Sequence, residues 1–176
     1  MNMREGPSTP ALDASRFGEA FAVRKAAFTL ARRSTSELAR PPVWNLGVVE
    51  ADPSLAAQAK RFARHAETAP ADQEARIVRE TMIVIRAWAS AGAPEAWLAR
   101  EREVQALLGD DRAAPALASL LPAGSLWQAR FGGDGICEVK MTIGAARGAP
   151  PGHGDTLALA LSAALFRAIA WHCGRN

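Results

Sequence analysis

His153 and Asp155 stand on either side of Gly154 in the run Gly152-His153-Gly154-Asp155-Thr156. An imidazole and a carboxylate two residues apart could share a small ligand. If a helix begins here, its free N–H groups add a pull on an anion. The chemistry would be anion or metal binding. The same residues also suit a plain helix start, with Asp155 as the cap and the glycines shaping the loop. The two readings differ in consequence. Loss of the imidazole would remove binding from a ligand site, but stability from a capping turn.

Other reactive residues give less. Cys137 and Cys173 are the two cysteines, with no CxxC and no zinc-type His/Cys spacing. Neither has a placeable positive neighbour, so both are expected to be inert thiols. His65 lies among Arg61, Arg64 and Glu67 and reads as a surface residue. No G-x-S-x-G elbow, phosphate-binding P-loop or dinucleotide fingerprint is present. No cofactor and no bound metal are therefore expected.

Asp155 before an Ala/Leu-rich helix resembles the last carboxylate of RNase H-like nucleases. Two-metal chemistry needs several inward carboxylates. Glu138 alternates outward with Lys140, and Glu50 merely follows an extended run, so the set is incomplete. A strand-strand-helix ending also suits a double-stranded RNA-binding domain. The final helix has no basic residue before Arg167, which argues against that. The densest basic cluster is Arg24, Lys25, Arg32 and Arg33, a candidate nucleic-acid contact.

Composition bounds the rest. The 176 residues suffice for one domain and are short for two. Hydrophobic residues form 49% and charged residues 22%, so a packed core is expected. Three of the 21 basic residues are lysine, which leaves 18 arginines. Arginine, alanine, glycine and proline together fit a GC-rich coding bias, and net charge is only +3. Met1 to Pro10 holds no apolar run, and no segment nears the roughly 20 apolar residues of a membrane span. A reduced, cytoplasmic chain is the expectation.

Residues 1–14 carry little to bury and read as a disordered arm. Residues 15–176 read as a single α+β domain, mostly helical over 15–124. From Ser15, Phe17, Phe21, Phe28 and Ala31 recur at helical spacing. Val43–Val49 reads as extended, a candidate third strand. Asp52-Pro53 predicts a helix to about Glu67, by cap and proline position. Pro70 and Asp72 open another, whose stripe includes Ile77, Met82 and Ile85, with Gly92 as its stop. Pro94 opens a third to Leu108, with Trp97, Leu98 and Val104 inward and Arg100 to Glu103 as a solvated face. Asp111 to Leu121 is a last short helix.

Residues 125–176 read as a β-β-α unit. Trp127, Ala129 and Phe131 share one face of the first strand; Cys137, Val139, Met141 and Ile143 share one face of the second. Gly132-Gly133-Asp134-Gly135 predicts a hairpin between them. Gly144 to Gly154 reads as a loop. Asp155 or Thr156 then caps a helix whose stripe is Leu157, Leu161, Leu165, Ala168, Ile169 and His172. That helix is the expected cover for the hairpin. The expected architecture is a helical N-terminal two-thirds packed on a small antiparallel sheet.

Trp127-Gln128-Ala129-Arg130-Phe131, Cys137 in the second strand, and Asp155-Thr156-Leu157-Ala158-Leu159-Ala160-Leu161 with Ala163-Ala164-Leu165 together resemble the phage ABA-sandwich domain. That pattern is a Trp-bearing strand, a second strand, and a helix opening Asp-Thr-Pro-x-Leu-Ala. It covers about residues 125–170, with Leu157 in place of the usual proline. The resemblance implies an origin in a phage or prophage and brings no catalytic residue.

Three functions follow as expectations. The first is a non-enzymatic accessory protein acting through a protein partner or self-association, because an underfilled sheet invites edge pairing. The second is nucleic-acid binding through Arg24, Lys25, Arg32 and Arg33. The third is a metal-dependent enzyme centred on His153 and Asp155.

Overall fold

A computed structural model describes residues 43–44, 46–49, 52–89, 94–144 and 147–174. The expected arm, the first helix from Ser15 and the Gly92 stop lie outside the described residues. All described residues belong to one compact unit, Arg33–Asn176.

The fold is α+β. Among the described residues, helices α1 (Pro53–Thr68), α2 (Glu74–Trp88), α3 (Pro94–Gly109) and α4 (Ala113–Ser119) precede strands β1 (Ser125–Phe131), β2 (Cys137–Ile143) and β3 (Gly152–Gly154). Helix α5 (Leu157–Cys173) follows. The sheet is antiparallel in the order β1-β2-β3. No helix among the described residues is long and apolar enough to cross a membrane.

The local chemistry explains most starts and stops. Asp52 caps α1, its carboxylate accepting the Ser54 N–H at 2.7 Å with Pro53 at the first turn. A 3-10 turn over Ala71–Gln73 leads into α2. The β1-β2 hairpin closes with the Gly132 N–H donating to Ile136 O at 2.8 Å, and Gly135 takes φ +88°. Val139, Met141 and Ile143 are buried, as period two requires, and Ala129 faces the core beside them.

Helix α5 is the centre of the molecule. Every residue from Ala158 to Phe166 is buried, so it presents no solvent face there, and all but Ser162 are apolar. It packs against β2 and β3 on one side and α1, α2 and α4 on others. Helix α1 meets it with Ala56, Ala59, Ala63 and Ala66, whose small side chains admit close helix contact. Phe62, Trp88 and Phe166 join α1, α2 and α5 through centroids 5.1 to 6.1 Å apart. The Thr81 and Ser162 hydroxyls meet at 2.7 Å inside this core.

Four sequence expectations need correction. Val43–Val49 is not a strand: Leu46–Val48 forms a 3-10 turn, closed by the Val49 N–H on Leu46 O. Trp44 is instead a buried anchor, its indole N–H donating to Leu120 O at 2.8 Å. The third strand is Gly152–Gly154, within the stretch read as loop. On α3, Arg100 is buried at 5% exposure beside Glu103, while Leu98 is 47% exposed. Phe131, placed under the helical cover, is exposed at the hairpin end.

Candidate functional site around His153 and the α1-α5 groove

The two glycines around His153 are there for packing. A Cβ on Gly152 would fall on Ala164 N and lie 2.5 Å from Ala160 O. One on Gly154 would lie 2.7 Å from Leu159 Cβ. Strand β3 therefore lies against the backbone of α5, and only glycine fits at those alternate positions. His153, between them, takes the opposite face of the strand.

There the register sets Arg130 opposite Glu138, and Glu138 opposite His153, in a row across three strands. His153 Nε2 is 3.6 Å from Glu138 Oε2, and Nδ1 is 3.7 Å from Glu67 Oε1. These distances exceed hydrogen-bond length. The His153 backbone N–H does donate to Glu67 Oε1, at 3.3 Å. Glu67 thus serves the edge of β3 as another strand's carbonyl would.

Glu67 is the hub of the cluster. Arg167, on α5, donates Nε–H to Oε1 at 2.9 Å and Nη2–H to Oε2 at 2.8 Å. This two-pronged pair ties the end of α1 to the middle of α5, and His153 adds β3. With both oxygens occupied, Glu67 is a fastener rather than a free base. Asp155, in contrast, is exposed and makes no hydrogen bond or ion pair among the described residues. Thr156 takes the cap role, its hydroxyl accepting the Leu159 N–H at 3.3 Å. The fold therefore puts His153 with Glu67, Glu138 and Arg167, and leaves Asp155 apart from hydrogen-bonded partners. Among the described residues, no group of three His, Cys, Asp or Glu side chains could hold a metal ion.

Both thiols are buried. Burial first, and the neighbouring Glu138 second, push the Cys137 thiol up to about 11. Burial also raises Cys173. Neither is a thiolate nucleophile near neutral pH. His65 lies 3.2 Å from Glu80 Oε2 at the surface, where Arg76 also reaches Glu80. Arg24, Lys25, Arg32 and Arg33 lie outside the described residues.

Sequence reasoning missed a groove beside this cluster, with a volume of about 500 Å³. Lys60 and Arg64 of α1 border it on one side, and Arg167 and Trp171 of α5 on the other, with Pro150. The Lys60-Arg64 spacing, one helical turn, was the available signal. Its meeting with Trp171 is tertiary and leaves no local trace. No protein-family model matches the chain, and no curated protein or solved structure is significantly similar to it.

Proposed function

We propose that this is a non-enzymatic accessory protein that acts by holding a partner protein, and that the partner adds an extended segment to the outer edge of β1. The observation that carries this is the place of β1 in the sheet. It is an outer strand of seven residues, paired among the described residues only with β2. Its other edge offers backbone donors and acceptors in strand geometry.

Side-chain exposure supports the same surface. Leu126 on β1 is 69% exposed, and Phe131 and Ile136 are exposed at the hairpin end. Arg130 and Lys140 are exposed beside them. The fitting partner segment is extended and mixed, with apolar residues for Leu126 and Phe131 and a carboxylate for Arg130 or Lys140. Main-chain pairing would supply affinity, and these side chains selectivity. The likeness of residues 125–170 to the phage ABA-sandwich domain supports an origin in a phage or prophage. A cytoplasmic setting suits two buried cysteines that form no disulfide with each other.

A photo-crosslinking residue at Leu126, compared with one at the equally open Ile83 of α2, tests the proposal in the native host. Ile83 is 63% exposed and far in sequence from β1. A protein adduct at position 126 and none at 83 is the expected result. An adduct between two copies of the chain would make the partner a second copy. No adduct at 126, equal adducts at both positions, or an adduct only with nucleic acid would overturn it.

A further inference from the structure

The groove between α1 and α5 has features that a protein-binding sheet edge does not explain. Lys60 and Arg64 are exposed, one turn apart, and their side chains have no acidic partner among the described residues. Among the described residues, no carboxylate lines the groove itself, and Glu67 stands behind Arg167. Arg167 adds a third cation whose Nε and Nη2 are fixed by Glu67. The pair holds the guanidinium in place and offsets much of its charge. Between the cations the lining is apolar: Ala63, Ala170, Pro150 and the half-buried Trp171. Gly148, at φ +87°, carries the loop over Trp171, where an added Cβ would be 3.9 Å from indole Cζ2. The volume of about 500 Å³ lies within the range of small-molecule sites, roughly 300–1,000 Å³.

We infer that this groove binds a small phosphate monoester, with the phosphate among Lys60, Arg64 and Arg167 and a planar organic group along Trp171 and Pro150. Lys60 and Arg64 bring two charges with no acidic partner among the described residues, and Arg167 stands beside them with its own charge shared with Glu67. A phosphate monoester offers three oxygens and close to two negative charges at neutral pH. The indole and proline surfaces suit a flat ring, which a free inorganic anion lacks. The alanine lining leaves room for that ring, where larger side chains would fill the space.

Calorimetric titration of the full chain tests this with four probes: AMP, adenosine, inorganic phosphate and triglutamate. AMP binds, and adenosine and inorganic phosphate each bind at least tenfold more weakly. The Lys60→Ala/Arg64→Ala double variant loses about 100-fold in AMP affinity, by two charged contacts of about tenfold each. Both residues are exposed, so an unchanged thermal midpoint is expected to accompany that loss. Trp171→Leu weakens AMP while leaving inorganic phosphate unchanged. The inference fails if millimolar AMP gives no heat, if the double variant binds AMP as the parent does, or if triglutamate binds more tightly than AMP. The last outcome would assign the groove to an acidic peptide.

Discussion

Glu67 and Arg167 are 100 residues apart in the chain and form a two-pronged ion pair in the fold. The pair is only partly exposed, 17% on the glutamate and 30% on the arginine. Screening by water is therefore incomplete, and each charge needs the other. The glutamate also takes the His153 N–H, so one carboxylate fastens two helices and a sheet edge.

Glu67→Ala should destabilise the protein by about 2–3 kcal/mol, since it strands Arg167 and an edge N–H together. Arg167→Lys should cost less, because charge remains and only the fork is lost. Urea unfolding of both variants checks the order. Equal, negligible effects would show that the pair is a solvated surface contact.

Gly152→Ala should cost about 3 kcal/mol or more, because the new methyl meets α5 backbone that cannot move alone. Gly133→Ala, in the hairpin turn, meets nothing within 4 Å and has no positive φ. It should stay within about 0.5–1 kcal/mol of the parent and is expected to be neutral or mildly stabilising. Paired thermal melts separate the two. Similar midpoints would mean that β3 can lift from α5.

How much of this was legible follows from the range of each signal. Asp52-Pro53 announces α1 through a cap and a ring that act within two residues, and the structure keeps both. Alternation announces β1 and β2, and glycine between them announces the turn. Strand β3 was hidden because two of its three residues are glycine, depleted in strands, and its cause is contact with α5. The charge of Arg100 suggests a solvated side chain, yet its helix position faces inward beside Glu103. At the candidate site, His153 was legible from its glycine frame. Glu67 and Arg167 were not, since nothing local couples residues so far apart.

The Thr81-Ser162 contact predicts a coupling inside the core. Ser162→Ala leaves the Thr81 hydroxyl buried without its partner and should cost about 1–3 kcal/mol. Thr81→Val on its own should cost a similar amount, by leaving Ser162 alone. The double variant replaces both polar groups by apolar ones and should recover most of one loss. A double-mutant cycle by urea unfolding measures this. Strict additivity would mean that each hydroxyl has another partner.

Cys137 predicts how stability falls in alkali. Its thiol is pushed up to about 11 in the folded protein, by burial first and by Glu138 second, against an unfolded value near 9. Below pH 9 both states hold the proton, and this group adds no pH dependence. Between about 9 and 11 the unfolded chain loses the proton while the folded chain keeps it, so unfolding gains. The loss over that window should be on the order of 2–3 kcal/mol. Cys137→Ala should remove this part of the slope, although Cys173, also raised by burial, leaves a share in the same direction. Urea midpoints from pH 8 to 11 for parent and variant check the sign. Parallel curves would show that the Cys137 thiol ionises as easily folded as unfolded.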